Sequence, residues 1–321
     1  MFEDLRLPTG TTFKLAYSGG LDSHVLLHAL SILRTDHGFS LSAIYIDHGL
    51  QTASADWGRH CAHTCKALDV PMTVERIRVD GAEDEGIEAA ARRARYAALS
   101  AAMAPAEILL TAHHADDQAE TVLLQLLRGT GIAGLAAMPL QNIFGSGRHI
   151  RPLLGFARVA LLAYAQEYRL SWIEDPSNQE SHLRRNYLRA EIMPRLARHW
   201  PAHASMLARA ARHAAEANVL LDEVAHNDLA VCQQVAPYAL RALSINALRM
   251  LSAARQRNLL RYWLKQQDLL TPTAAQLEEV LAHVQTAPRS QQACVRWPGV
   301  EVWRYRDLLA AMPSLVAPVS A

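Results

Sequence analysis

The stretch Phe13-Lys14-Leu15-Ala16-Tyr17-Ser18-Gly19-Gly20-Leu21-Asp22-Ser23 decides how the first half of the chain reads. Its apolar run, Phe13 to Tyr17, predicts a strand, and the pattern from about Ser23 to Leu33 predicts a helix directly after it. Adjacent glycines between the two let the main chain turn tightly and approach a ligand with no Cβ in the way. The helix N-terminus adds backbone N–H groups and a partial positive charge. Together they form an anion cradle, to which Ser18 and Ser23 add hydroxyls. Asp22 placed among phosphates makes sense mainly with a bridging Mg2+. The plainer alternative is a capped helix start, with Asp22 or Ser23 as the N-cap. No Walker lysine motif occurs, which excludes an ordinary P-loop NTPase.

Outward from this loop, short apolar runs keep alternating with helical patterns. Leu41–Ile46, Met72–Val79 and Glu107–Thr111 are further strands, the last running into a helix through Leu127. That alternation predicts an α/β fold: a mostly parallel sheet with helices on both faces. Ligands in such sheets sit outside the carboxyl ends of the strands, so the loops opening at Ser18, Asp47 and Ala112 are the places to look for chemistry. The character changes after Arg151. A stretch rich in Ser, Asn and Pro, Asp175 to Asn178, interrupts helical patterns. From His203 onward helical periods dominate, until a β-like piece at Ala293–Trp303. The expected organisation is a catalytic domain over residues 1–200 and a mainly α-helical domain over 201–321, with the boundary near Trp200 and Pro201.

Composition limits the alternatives. The chain has 321 residues, about two typical domains, and half of them are hydrophobic with no unbroken apolar run long enough to span a membrane. Glu3, Asp4 and Arg6 break up the N-terminus, unlike a secretory signal, so a cytoplasmic protein with no membrane partner is expected. Cys61, Cys65, Cys232 and Cys294 suit free thiols better than a disulfide framework or a paired zinc site. The formal net charge of +1 hides two basic stretches: Ser181–His199 carries five arginines against Glu191, and Arg241–Lys265 carries five arginines and a lysine with no acid. Both read as amphipathic helices, either a footprint for a phosphate backbone or a pair of solvated faces.

A second constellation follows the fourth strand. His113, Asp117 and Glu120 stand at i, i+4 and i+7, so a helix through them shows one polar face, while Val122, Leu123, Leu126 and Leu127 supply a side to bury. Two histidines near carboxylates raise the alternative of zinc. A carboxylate-rich set beside a phosphate loop fits Mg2+ or an ammonium ligand better, with an acidic first turn favoured by the helix dipole as the purely structural alternative. Arg92, Arg93 and Arg95 ride on an alanine-rich helix thin enough to bring an arginine close to a nucleotide, with Arg93 expected on solvated surface. Arg185 and Arg189, at i and i+4, share a helix face that can hold phosphates or close over a site. His48, after the second strand and beside Gly49, is placed to stack on or hydrogen-bond to adenine. Cys61 and Cys65 are expected to pack in the core.

The Ser-Gly-Gly-Leu-Asp-Ser loop resembles that of the PP-loop ATP pyrophosphatase superfamily. Further matches narrow the resemblance: Asp47-His48-Gly49-Leu50; Gly86-Ile87-Glu88 leading to Ala91-Arg92-Arg93-Ala94-Arg95-Tyr96; and Ala112-His113-His114-Ala115-Asp116-Asp117-Gln118-Ala119-Glu120-Thr121. Leu127-Arg128-Gly129-Thr130-Gly131, Arg151-Pro152-Leu153-Leu154 and Arg185-Asn186-Tyr187-Leu188-Arg189 follow in the same order. Together they resemble the tRNA(Ile)-lysidine synthetase family, strongly to about Trp200 and more weakly through the helical part with Arg304-Tyr305-Arg306-Asp307. A further C-terminal domain of longer members is not expected in this chain.

The resemblance implies ATP-dependent ligation of free L-lysine to C2 of cytidine 34 in the CAU anticodon of tRNA(Ile), with AMP and pyrophosphate as products. It implies ATP at Ser18, Gly19, Gly20, Leu21, Asp22, Ser23 and His48, Mg2+ at Asp22 and Asp117, and lysine at Asp117 and Glu120. Asp22, Arg92, Asp117, Glu120 and Arg185 are the expected catalytic set, with Arg92 facing the phosphates or the adenylated base. Arg185, Arg189, Arg257 and Arg261 are the expected tRNA contacts. The alternatives are tRNA 2-thiolation on the same fold, which needs reactive cysteines or a cluster, and a non-catalytic tRNA-binding protein.

Overall fold

The computed structural model describes residues 8, 10–49, 54–80, 87–174, 184–235, 241–286 and 293–314. Most of the N-terminal stretch, Leu50, Gly86 and the segment Asp175 to Asn178 lie outside the described residues. Contacts divide the chain into two units, Met1–Ala215 and Glu216–Ala321. The division falls within a long helix, His203–Cys232. Ala204, at the start of that helix, is buried with Ala119 and Met193 in the first unit's core.

In the first unit, β1 (Thr12–Ala16), β2 (Ser40–Asp47), β3 (Met72–Arg76), β4 (Ile108–Leu110), β5 (Gln141–Phe144) and β6 (Gly147–Ile150) form one sheet in the order β3-β2-β1-β4-β6-β5. All neighbours are parallel except β5 and β6. The connecting helices are α1 (Leu21–His37), α2 (Ser54–Ala67), α3 (Ile87–Ala101), α4 (Ala115–Leu127), α5 (Ile132–Leu135) and α6 (Arg158–Glu167). Alternate strand residues serve two cores. Leu15, Ala43, Tyr45, Ile108 and Leu110 pack with Leu27 and Leu30 of α1 and Leu161 of α6, whereas Ile44, Ile46 and Leu109 pack with Leu99 of α3. Burial on both faces is why these strands read as nearly unbroken apolar runs. β3 stops at Arg76, short of Val79, and exposes Thr73 to Arg76 as a sheet edge.

Strand order then positions the chemistry. β1 lies between β2 and β4, with Leu15 opposite both Ala43 and Leu110. The chain leaves β1 toward one side of the sheet and returns through β4 on the other, which opens a crevice at the carboxyl ends of β1 and β4. The loops beginning at Ser18 and Thr111 both open there. The first unit also holds α7 (Arg184–Tyr187), a π-helical turn (Leu188–Ile192) and α8 (Met193–His199).

From α9 (His203–Cys232) the second unit continues through β7 (Gln233–Val235), β8 (Arg241–Ser244), α10 (Ile245–Arg249), α11 (Ala253–Lys265) and α12 (Ala274–Thr286). It ends in β9 (Ala293–Trp297), β10 (Val300–Tyr305) and β11 (Leu308–Pro313). Its strands form an antiparallel sheet in the order β7-β8-β11-β10-β9, so the β-like piece Ala293–Trp303 is one hairpin of a five-stranded sheet. Leu259, Leu260, Trp263 and Leu264 of α11 pack with Leu277, Val280 and Leu281 of α12 and with Val295, Val300 and Val302. Arg241–Lys265 is not the single helix expected of it. Two serines punctuate it: Ser244 Oγ accepts from Ala247 N–H at the start of α10, and Ser252 Oγ accepts from Arg255 N–H at the start of α11. No described helix is long and apolar enough to cross a membrane, and all four cysteines are free.

Candidate active site

At the end of β1, Gly19 takes φ +79°, and a Cβ there would stand 2.7 Å from Ile173 Cδ1 and 2.9 Å from Cys61 Sγ. Only glycine fits, and the loop is further pinned by Ile173 N–H donating to the Gly19 carbonyl at 2.9 Å. The Ser23 hydroxyl donates to the Gly20 carbonyl at 3.0 Å and accepts from Ser18 N–H at 3.3 Å, holding the turn shut. Gly20 is the N-cap of α1 and no side chain caps it, so the ordinary capped-start reading does not hold for Asp22 or Ser23. Asp22 stands in the first turn with Oδ1 buried and without a hydrogen-bond partner, Arg158 Nε lying 3.9 Å away. A buried carboxylate oxygen in that state is costly until a cation or donor joins it. Beyond β2, Asp47 shapes the turn carrying His48 by accepting from Gly49 N–H at 3.0 Å.

Across the crevice, α4 begins at Ala115, so His113 precedes the helix and does not share a helical face with Asp117 and Glu120. His114 is the N-cap, in a capping box with Asp117, and its Nε2 stands 3.5 Å from both Asp22 Oδ2 and Asp117 Oδ2. Burial works against charge on this imidazole, but the hydrogen bond to Asp22 and the charges of Asp117, Asp22 and Asp116 raise its pKa above the usual value. The apolar side also departs from expectation: Leu126 and Leu127 are 58% and 75% exposed, while Glu120 is 2% exposed. Two arginines account for the burial of Glu120. Arg185 Nε donates to Glu120 Oε2 at 2.8 Å and Arg189 Nε to Glu120 Oε1 at 2.7 Å, and the Nη2 atoms of the pair reach Asp117 Oδ1 at 3.4 and 3.3 Å. Arg185 lies on α7 and Arg189 in the π turn, a local widening of the helix of a kind often found at functional sites. Two carboxylates and two guanidinium groups thus neutralise one another.

On the other side of β4 lies a cluster in which the charges are arginines. Thr111 Oγ1 is 2.7 Å from His113 Nδ1 and 2.8 Å from His149 Nε2, and His149 Nδ1 is 3.2 Å from Arg151 Nη2. From α3, Arg92 and Arg95 stack on the Tyr96 ring at 4.9 and 5.4 Å, and Tyr96 stands 6.0 Å from the His149 ring. Burial, aided by Arg151, Arg95, Arg92 and Arg185, lowers the His113 pKa well below its ordinary value; burial and Arg151 push that of His149 down to about 3. Neighbouring histidines are therefore driven in opposite directions, His113 toward neutrality and His114 toward charge. Arg93 is exposed, as expected, and donates to the Asp80 carbonyl at 3.1 Å.

The loop residues Ser18 to Ser23 are thus brought beside Asp117, Glu120, Arg185 and Arg189, while Arg92 joins the arginine cluster beyond β4. Arg257 and Arg261 belong to the second unit, where Arg257 Nη1 stands 3.4 Å from Glu278 Oε1. Sequence reasoning passed over His114, Thr111, His149 and Arg151 as individual site residues and named Arg95 without assigning it a role. The doubled histidine and the Arg-Pro-Leu-Leu motif were signals for His114 and Arg151, whereas nothing local marks His149. Among the described residues no three His, Cys, Asp or Glu side chains converge to hold a metal by themselves, which leaves the zinc alternative without a ligand set there.

A family model described as the PP-loop domain matches residues 2–196, and one described as the TilS substrate binding domain matches residues 243–310. The fold and the loop therefore define a PP-loop protein. The U34-tRNA thiolase NcsA of Methanococcus maripaludis, solved with its 4Fe-4S cluster, shares that fold at a TM-score of 0.54 and 18% identity, covering 64% of this chain and 72% of its own. The relatives in sequence are more specific. The tRNA(Ile)-lysidine synthase of Pseudomonas aeruginosa is 52% identical over 78% of this chain and 58% of its own length. That of Coxiella burnetii is 41% identical over 97% and 68%, and that of Methylococcus capsulatus 44% over 96% and 70%. The chain belongs to the tRNA(Ile)-lysidine synthase family, and it spans between 58% and 70% of the length of these three relatives.

Proposed function

We propose that this chain joins free L-lysine to C2 of cytidine 34 in the CAU anticodon of tRNA(Ile), in the cytoplasm, converting ATP to AMP and pyrophosphate. The observation that carries the reading is the pairing of an uncapped anion loop with a carboxylate–arginine cluster on adjacent strand ends, in a chain of this family. The catalytic work falls to the first unit and tRNA binding to the second, where Arg257 and Arg261 would hold phosphates.

In the first step the cytosine O2 attacks the ATP α-phosphorus and pyrophosphate leaves. The Ser18–Ser23 loop holds the phosphates through backbone N–H groups and hydroxyls, with His48 beside the adenine. Asp22, whose Oδ1 lacks a partner, together with Asp117 suits Mg2+, which when bound would neutralise phosphate charge. Arg92 stabilises the charge on the departing group. In the second step the lysine ε-amine attacks C2 and AMP leaves. An ammonium with a reference pKa of about 10.4 must first lose a proton, and Asp117 or Glu120 receives it. Glu120 already holds Arg185 and Arg189 on its two oxygens, so an incoming ammonium takes the place of one guanidinium. The displaced Arg185 is then free to stabilise AMP as it departs.

Thiolation finds no support in the thiols: burial pushes Cys61 up to about 12 and Cys65 up to about 11, which leaves both unreactive near neutral pH. The direct test incubates the protein with ATP, radiolabelled lysine and a panel of tRNAs. Label on the CAU isoleucine tRNA, with stoichiometric AMP, is the expected result; AMP formation without lysine incorporation overturns the reading. Asp22→Asn should cut pyrophosphate release at least 100-fold while tRNA affinity holds, and unchanged release would remove Asp22 from the mechanism.

A further inference from the structure

The arginine-lined side of β4 contains a hydrogen-bond chain whose polarity is determined by its chemistry. Arg151 Nη2 can only donate, so His149 Nδ1, 3.2 Å away, must accept with a lone pair. A neutral His149 then carries its proton on Nε2 and donates to Thr111 Oγ1 at 2.8 Å. The Thr111 hydroxyl is buried and has one proton, which it gives to His113 Nδ1 at 2.7 Å. The reverse polarity at the last link would leave that hydroxyl proton without an acceptor, at a cost comparable to a lost buried hydrogen bond. His113 therefore holds its own proton on Nε2. No described residue bonds that nitrogen, and the residue, in the loop that follows β4, is partly exposed.

We propose that His113 is a neutral, fixed-tautomer hydrogen-bond donor whose Nε2–H serves a phosphoryl oxygen of the reacting nucleotide, and that Thr111, His149 and Arg151 are positioning residues for it. The ligand class follows from the surroundings. The charged groups acting on His113 are Arg92 and Arg95 from α3, Arg151 after β6 and Arg185 from α7, all cations that suppress an imidazolium. Arg185 is paired with Glu120 and Asp117, so Arg92, Arg95 and Arg151 are the ones placed to attract a phosphate. His149 beside them is neutral as well. Arg151 is 6% exposed and its Nε lacks a partner, which marks a cluster built for more than its own internal bonds. Such an imidazole supplies direction while the arginines supply charge. It takes no part as the base for the lysine ammonium, which assigns that role to the carboxylates on the other side of β4.

The inference rests on the proposed function only for the identity of the oxygen; the tautomer is independent of it. The test is nitrogen-15 NMR of the full chain labelled at histidine. Between about pH 5.5 and 8, His113 and His149 should both show an unprotonated Nδ1 and a protonated Nε2, where an ordinary histidine titrates. Adding AMP should move the His113 signals and leave those of His149 nearly in place. Protonation of His113 at Nδ1, its titration in that range, or no response to AMP would each overturn the proposal. Thr111→Val should release the His113 tautomer while Thr111→Ser keeps it. In turnover, His113→Gln, which retains a donor near the Nε2 position, should stay within about tenfold of the parent kcat/KM, and His113→Ala should fall about 100-fold. Equal losses in the two variants would also overturn it, and the wild-type spectra decide the tautomer even if a variant fails to fold.

Discussion

The two units treat their basic residues differently. In the second, the stretch Arg241–Lys265 contains no acid, yet most of its charged side chains on α11 have one from elsewhere: Arg255 pairs with the buried Asp228, Arg257 with Glu278 at 3.4 Å and Lys265 with Asp222 at 3.3 Å. In the first, Arg185 and Arg189 are fully engaged by Asp117 and Glu120, whereas Arg92, Arg95 and Arg151 gather around two neutral imidazoles with Tyr96 as their near neighbour. A run of like charges in sequence can thus be neutralised in space, and scattered arginines can converge into a cationic site.

The comparison is broken most forcefully at Glu120. Glu120→Gln leaves Arg185 and Arg189 facing a neutral amide in a buried place, and unfolding free energy should fall by roughly 1–3 kcal/mol, discounted for the partly exposed guanidinium groups. Lysine transfer should slow more than pyrophosphate release. Chemical denaturation together with step-resolved kinetics checks both, and equal slowing of the two steps would place Glu120 at the metal instead.

A matched substitution in the second unit sharpens the contrast. Asp228→Asn removes the buried partner of Arg255 and should lower Tm by roughly 2–6 °C, while pyrophosphate release stays at the parent rate when assayed at a temperature where the variant is folded. A fall in that rate would mean that the second unit's ion pairs serve the first unit's chemistry.

Smaller still is the expected effect of neutralising Arg257 and Arg261 together. Arg257 and Arg261 both feel Glu278, so two cations share one acid and a surplus of positive charge remains for phosphates. The double alanine variant should bind tRNA more weakly, with a salt dependence flatter by at most about two units of slope and unchanged ATP binding. Wild-type tRNA affinity across a salt titration would show a solvated face and direct the search to the first unit.

The slightest effect concerns pH. The His114 pKa is raised in the folded protein, so the stability it contributes is fully present below its unfolded pKa of about 6.5 and is lost as pH rises through the folded value. Replacing it in His114→Gln should flatten the decline of stability across that window. An unaltered pH–stability curve would show that Asp22 and Asp117 do not favour the imidazolium.

The strand–loop–helix reading at Phe13–Ser23, the parallel sheet and the position of the chemistry at strand ends were legible because each depends on local pattern: apolar runs buried on both faces, and paired glycines at a φ of +79°. The family was legible in motifs for the same reason, since they lie in contiguous loops. What failed depended on partners far along the chain. Periodicity assigned Leu126 and Leu127 to the core and left Glu120 on an open polar face, but both leucines are exposed, and two arginines more than sixty residues away cover Glu120 where it stands. His113 looked helical until the N-cap at His114 excluded it from the helix. Local sequence sets which conformations a segment can adopt, through sterics and backbone hydrogen bonding. The charge state and exposure of a side chain depend on which distant groups pack against it, and here that was decided by the strand order, which put β4 between β1 and β6.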